Sequence, residues 1–401
     1  MNLTERKKLV RDLTAIEGRW PGTDAERRAA NLLADRLRAL GRQADLEPIY
    51  VHPEYSLAIA LYCAVAVAAS LLSVAVPVAG LGLAAIALFA LIGDLTTLFR
   101  AGRRIFYRRA SQNVVSPGSR PDAPATLVLT AHYDAAKTGF VFSPGRARRA
   151  ARLHERFRIG PFSAVFASFL LLVATLIARA AGIDAFWLSI VQLIPTAALL
   201  VTIVLLLDIA LSKTVPGAND NATGVATAIS LADELVGSLE HLDVWVVLTG
   251  AEEALMEGMV AFMRAHHSDF DRASTYFVNL DSLGIGEPRY ALDEGFVIPF
   301  GYDERLISIC EAIAEADEAG RFNARPARIR FGTDALPARL RGFSATTISC
   351  TDADGYIPGY HTPADVPDRL DDAALERAHA FAAEVIGLLD RDLGRMPVTR
   401  D

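Results

Sequence analysis

Seven side chains are of the kinds that hold metal ions and move protons, and five of them stand where short apolar runs stop. His132 and Asp134 follow ATLVLTA, Glu252 and Glu253 follow DVWVVLTGA, and Asp281 follows TYFVNL. Ligands in open α/β sheets bind beyond the carboxyl ends of the strands, so three strands would bring the same chemistry to one edge. Asp220 opens a helix in the glycine-flanked VPGANDNATG, where its two oxygens could each face one of two metals; paired sites hold their ions roughly 3.5 to 4 Å apart. His361 lies in the turn-rich GYHTPAD. Imidazole and carboxylate ligands without a thiolate suit zinc and, less selectively, cobalt or manganese. Asp134, two residues beyond His132, can accept the other ring N–H of that histidine and fix its tautomer. Singly, each residue has a duller explanation, such as a glutamate pair complementing a helix dipole. Their coincidence at three strand ends carries the metal reading.

The elements that must position these groups alternate between strand and helix patterns, the signature of an α/β domain. Strands are expected near 46–51, 123–131, 243–250, 275–280 and 344–350, the later ones apolar on both faces as covered central strands are. Helices are expected over 222–236, 255–267, 303–319 and 373–391. Thr23 and Glu26 have capping-box spacing before a helix with Leu33 and Leu37 on one face, closed by Gly41.

A second set of segments is of another kind. No charge interrupts residues 56–93, 162–178 or 185–207, and a bilayer core of about 30 Å needs ~20 apolar helical residues. Four transmembrane helices in two hairpins are expected, near 57–76, 78–98, 162–178 and 185–207, with Pro195 tolerable inside the last. Arg100, Arg103, Arg104, Arg108 and Arg109 follow the first hairpin; Arg146, Arg148, Arg149, Arg152, Arg156 and Arg158 precede the second. Lys and Arg in short flanks favour the cytoplasmic side, which places both termini and the catalytic segments in the cytoplasm of a multi-pass inner (plasma) membrane protein. The opening MNLTERKKLVRDL has no apolar core and does not read as a secretory signal. Cys63, Cys310 and Cys350 are too scattered for a disulfide framework. The net charge of −7 covers acidic soluble segments and arginine-rich flanks that suit topology and lipid headgroups rather than nucleic acid.

The ordered motifs His132-Tyr-Asp134, Gly217-Ala-Asn-Asp220-Asn-Ala-Thr-Gly224, Glu252-Glu253, Asp281 and His361-Thr-Pro-Ala-Asp365 resemble the family of co-catalytic dizinc peptidases. That family includes bacterial leucyl aminopeptidases, glutamate carboxypeptidase and glutaminyl cyclases. WPGTDAERRAANLLADRLRALG and FGTDALPARLRGF extend the likeness over nearly all soluble residues. The resemblance implies a mixed, mostly parallel central sheet flanked by helices. It implies two zinc ions per chain, one held by His132 and Asp281, the other by Glu253 and His361, with Asp220 bridging. It leaves Glu252 as general base and implies a cis peptide after Asp220. Ordinary members lack the four apolar helices. The peptidase domain is therefore expected to be discontinuous, over 1–55, 110–145 and 213–401, with one hairpin and its flank at 56–109 and the other at 146–212.

The expected activity is a membrane-bound metallo-exopeptidase, an aminopeptidase acting on peptide or protein N-termini, with the bilayer as its other partner. The apolar helices also offer a surface for homo-oligomers. Two alternatives stay open: a glutaminyl cyclase-like acyltransferase and a non-catalytic membrane scaffold.

Overall fold

The computed structural model describes residues 1–97, 99–100, 102–235, 237–329 and 331–395. The expected helix ends at Leu98 and Val236, and the last residues of the expected 213–401 segment, lie outside the described residues. The chain opens with α1 (Leu3–Thr14) and α2 (Asp24–Ala39). α1 arises from the charged opening: Asn2 accepts from the Glu5 N–H while Glu5 accepts from the Asn2 N–H, a reciprocal cap, and Leu9, Val10 and Leu13 are buried beneath it. β1 (Asp45–Val51) leads into α3 (Tyr55–Leu72) and α4 (Pro77–Leu95), after which come β2 (Arg109–Ser116) and β3 (Ala125–His132). α5 (Pro144–Phe157), α6 (Ser163–Ala180) and α7 (Phe186–Leu211) precede α8 (Thr223–Leu235). The rest runs β4 (Leu242–Thr249), α9 (Glu257–His266), β5 (Thr275–Asp281), β6 (Glu287–Glu294), β7 (Phe300–Gly301) and α10 (Glu304–Glu315). It ends with β8 (Arg325–Arg328), α11 (Ala335–Arg339), β9 (Ser344–Thr351) and α12 (Asp372–Arg395).

Among the described residues nine strands form one mixed sheet in the order β1-β2-β4-β3-β5-β9-β6-β7, with β8 beside β6. Its centre, β4-β3-β5-β9, is parallel; β2, β6 and β8 run against it, and β1, antiparallel to β2, runs with it. The register His132 opposite Thr249 puts the ends of β3 and β4 side by side. Two apolar layers cover the faces, one holding Leu127, Leu129, Val246, Ile229 and Phe381, the other Val128, Val247, Phe262, Phe277 and Phe343. This is the mostly parallel α/β sheet that the resemblance implies.

α3, α4, α6 and α7 are long and apolar enough to cross a membrane. They pack as a four-helix cluster in which α3 touches α4 and α7, and α6 touches α4 and α7. Outward they present Ile86, Phe89, Leu170, Trp187, Ile194, Val201 and Val204, all exposed. Polar groups between them are mutually satisfied. Gln192 donates to the Ser70 carbonyl at 2.9 Å and accepts from Arg179 at 3.0 Å, and Ser70 meets Thr196 at 2.8 Å. α3 stops at Leu72, four residues before the expected end, because the chain must turn ahead of Pro77 at the start of α4.

A buried charge cluster fastens the first hairpin to the sheet domain. Arg103 donates to Asp94 at 3.0 Å, to Glu257 at 2.9 Å and to the Ala254 carbonyl at 2.6 Å. Tyr62 donates to the other Asp94 oxygen at 2.5 Å, and the His52 N–H donates to Glu257 at 3.0 Å. Arg103, Asp94 and Glu257 are all buried. Asp94 is thus paired with a neighbouring arginine.

Candidate metal centre

The strand ends converge as their register requires. His132 closes β3, Asp281 closes β5, and Glu252 and Glu253 stand three and four residues beyond β4. Asp220 comes from the turn ahead of α8, and His361 from the loop after β9. His132 Nε2 lies 3.2 Å from Asp220 Oδ1, and His361 Nε2 lies 3.4 Å from Asp220 Oδ2 and 3.3 Å from Glu253 Oε2. Glu252 Oε2 stands 4.0 Å from His132 Nε2. Ligand atoms of His132, Asp220 and Asp281 come within 4.8 Å of one another, as do those of Asp220, Glu253 and His361. Asp220 belongs to both groups. A third group of the same tightness joins His132, Glu252 and Glu253.

Asp134 does not join these groups. Its carboxylate accepts the backbone N–H of Glu252 at 3.2 Å and of Glu253 at 3.0 Å, and stands 3.4 Å from His132 Nδ1. Asp365 does the same for the other loop, accepting the N–H of Asn219 at 2.7 Å and of Asp220 at 3.1 Å. The Asp220–Asn221 peptide is cis.

The backbone here is held in uncommon shapes. Ala251, Leu255, Met256, Ser282 and His361, none of them glycine, have φ between 52° and 62°. Such left-handed residues are uncommon outside glycine and gather where surrounding structure forces them. Leu255 and Met256 also explain why α9 starts at Glu257 and not at the expected Leu255: the chain is still turning there. Two glycines permit close approaches. A Cβ on Gly258 would lie 1.9 Å from the Gly250 carbonyl oxygen, and one on Gly224 would lie 2.1 Å from that of Leu280. Gly224 therefore lets the Asp220 turn pack against the end of the strand that delivers Asp281.

Three residues not singled out from the sequence support the site. Glu26, whose spacing suggests only a helix cap, does cap locally at Gly22 (2.7 Å), but its other oxygen accepts from Ser111 at 2.8 Å and from the N–H of Ala251 at 3.0 Å. Arg19, fully buried, donates to the carbonyls of Tyr133 at 3.0 Å and Pro216 at 2.9 Å and so joins the two motif loops. Asp334 accepts a short hydrogen bond from Thr249 and leaves its other oxygen without a partner. Glu26 and Asp334 lie in the motif-like stretches WPGTDAERRAANLLADRLRALG and FGTDALPARLRGF, and Arg19 just ahead of the first; the contacts of Glu26 and Arg19 are made across long stretches of chain.

The electrostatics call for a cation. Burial, with Asp220 and Asp134 nearby, pushes the Glu253 carboxyl up to about 8 despite His361. Burial likewise raises Asp281 to about 6, with Asp220 adding to the effect, and Asp334 to about 7, with Asp134 and Asp281 adding to it. Burial alone would lower His132, yet the carboxylates of Glu252, Asp134 and Asp220 hold it well above its usual range. Asp220 Oδ2, Glu253 Oε1 and His361 Nδ1 are buried without a hydrogen-bond partner. Unpaired buried oxygens facing imidazole nitrogens, with no thiolate near, fit a zinc-type ion.

Known proteins bear on this arrangement. Residues 207–386 match the model of peptidase family M28, a stretch that includes Asp220, Glu252, Glu253, Asp281 and His361 and leaves His132 upstream. The chain is 24% identical over 204 residues to the "Probable lipoprotein aminopeptidase LpqL" of Mycobacterium tuberculosis, a match covering 45% of this chain and 41% of that relative. Its fold is similar to a zinc aminopeptidase from Bacillus subtilis (TM-score 0.57, 13% identity, 97% of this chain and 95% of the other). It is also similar to a glutaminyl cyclase of Bacteroides thetaiotaomicron (TM-score 0.54, 15% identity, 96% and 97%). A zinc-dependent exopeptidase of Parabacteroides distasonis gives a TM-score of 0.55 at 12% identity, over 96% and 97%. All of the metal-type cluster except His132 thus lies inside the stretch that is similar to peptidase family M28.

Proposed function

We propose that this chain is a membrane-embedded zinc aminopeptidase that releases N-terminal residues from peptides. One observation carries the reading: Asp220 turns one oxygen to His132 and the other to His361, within two tight groups of metal-type ligands that share it. That sharing supports two ions per chain, of which His132 and Asp281 would hold one and Glu253 and His361 the other, with Asp220 available to both. Zinc bound there supplies a Lewis acid that polarises a carbonyl and acidifies water.

The chain's own groups supply the proton traffic. Glu252 is left outside the two Asp220-sharing groups, its carboxylate within reach of the same space, and takes the proton of the attacking water. It then hands that proton to the departing amine nitrogen. Asp134 fixes the backbone of Glu252 and Glu253 and orients the His132 ring. We also read 1–55, 110–145 and 213–401 as one discontinuous peptidase domain, facing the cytoplasm, with hairpins at 56–109 and 146–212 in the bilayer.

Glu252→Gln in the detergent-purified full chain is expected to lower peptide hydrolysis by about 10² to 10⁴ while zinc, counted by elemental analysis, stays bound. Retained activity would sink the assignment. N-acetylation of the peptide is expected to block cleavage, since an aminopeptidase must recognise the free ammonium; unimpaired cleavage would point to another peptidase class.

A further inference from the structure

Beside the metal-type cluster lies a cavity of about 890 Å³, within the size range of ligand sites. The end of β9, with Ser349 and Thr351, and the loop running on to Tyr360 form one side, and α5 forms the other. Two aromatic rings belong to both cavity and cluster. Tyr360 stacks on His361 with centroids 3.8 Å apart, and Phe142 meets the same imidazole edge-on at 4.5 Å. The cavity is therefore the space next to the reacting centre, at the carboxyl edge of the sheet.

Its lining is apolar between arginines. Leu153, Ile159, Phe331 and Ile357 supply carbon surface. Five guanidinium groups, of Arg152, Arg156, Arg289, Arg325 and Arg328, face three carboxylates, of Glu155, Asp352 and Asp354. Two of those acids are already engaged: Asp352 pairs with Arg148 at 2.9 Å, and Asp354 with Arg148 at 3.4 Å and Arg152 at 3.2 Å. Arg328 pairs with Asp293, and Arg289 has Glu287 at 3.7 Å. Arg156 and Arg325 pair with no carboxylate among the described residues. The cavity thus carries surplus positive charge in the form of planar, fork-shaped donors that match a carboxylate.

An exopeptidase fixes only the terminal residue at its metal centre, and the rest of the substrate must occupy neighbouring space. Resting on the aminopeptidase reading above, we propose that this cavity holds the substrate chain beyond the scissile bond and selects peptides that carry a carboxylate there. Acidic side chains and a free C terminus share that chemistry. The selecting charges come from both walls, Arg156 from α5, which leads on to the apolar helix α6, and Arg325 from β8 at the edge of the sheet.

The test uses the full chain in neutral detergent with zinc and leucine-led pentapeptides that differ at the fourth position, glutamate, glutamine or lysine, each with a free or an amidated C terminus. Expected is a kcat/KM about fivefold higher for glutamate than for glutamine, within what single charge pairs provide. The order glutamate, glutamine, lysine should hold, and the ratio should shrink at about 0.5 M salt. A gap between free and amidated peptides assigns part of the preference to the C terminus; a gap only at the fourth position assigns it to the side chain. The double variant Arg156→Gln and Arg325→Gln should bring the ratio near one, the corresponding Lys variants should keep most of it, and Arg391→Gln on the distant α12 should leave it unchanged. Equal kcat/KM for all peptides overturns the inference while leaving the peptidase reading intact, and inhibition by phosphatidylglycerol in that case assigns the arginines to lipid headgroups. No hydrolysis of any peptide overturns the peptidase reading, and the inference with it.

Discussion

Glu26 reaches the catalytic loop from the far end of the sequence. Its carboxyl is buried, and burial together with the nearby Asp134 pushes it up to about 8, although Ser111 and the backbone of Gly22 and Ala251 hydrogen-bond to it. The Ala251 N–H it accepts precedes Glu252 directly, in a residue held at a left-handed φ of 54°. Glu26→Ala strands that N–H and Ser111 in the interior, a cost of about 1 to 3 kcal/mol. The expected result is a lower unfolding temperature together with a fall in kcat, since the Glu252 backbone loses a neighbour that holds it. A stability loss with kcat unchanged would show that Asp134 alone fixes the loop. His132, Asp281 and the Glu252–Glu253 pair were legible in the sequence because short apolar strands end at or just before them, and Asp220 and His361 because they sit in turn-rich motifs. Glu26 and Arg19 were not, because their role is defined only by contacts across long sequence separations.

At the scale of elements, α9 and the first hairpin share one set of charges. Arg103→Ala leaves Asp94 buried without a guanidinium and Glu257 with only Arg100, 3.1 Å away, and breaking a buried pair costs about 3 to 5 kcal/mol. Both stability and hydrolysis should drop, with partial recovery in Arg103→Lys, which can serve one acid but not the fork; thermal unfolding and peptide turnover in the same detergent check it. A second element contact titrates. His379 on α12 lies 3.1 Å from Ser230 and 3.3 Å from Glu234 on α8, and burial, helped by Arg6 and the N-terminal amine, lowers it to about 3. The folded form keeps this imidazole neutral while the unfolded chain protonates it near 6.5, so its contribution is complete above that pH and is lost as pH falls toward 3. His379→Asn should flatten the decline of unfolding temperature between about pH 7 and 5.

Central strands and long helices were legible from period and length, but β6, β7 and β8 were not. GEPRYALDE and RPAR mix charge with apolar residues, and the pairing of β6 with β8 shifts register between Ala291 and Asp293, so neither alternates cleanly. α5 was read only as a basic flank, since none of its residues is buried; its role as a cavity wall depends on what packs opposite.

For the whole molecule, the exposed apolar girdle on α3, α4, α6 and α7 fits a bilayer better than water. Alkaline carbonate washing of membranes that contain the chain should leave it in the pellet, and its release into the supernatant would remove the membrane from the proposal. The charge cluster at Arg103 bears on how the protein can be handled. Glu257 lies five residues after Glu252, and its cation comes from beyond the second apolar helix. Cutting out the hairpins to obtain a water-soluble fragment would therefore remove the counterion of a buried acid beside the reacting loop. The four-helix half is not a detachable tether, and a tilt of α4 has a direct mechanical route, through Asp94, Arg103 and Glu257, to the stretch that follows Glu252.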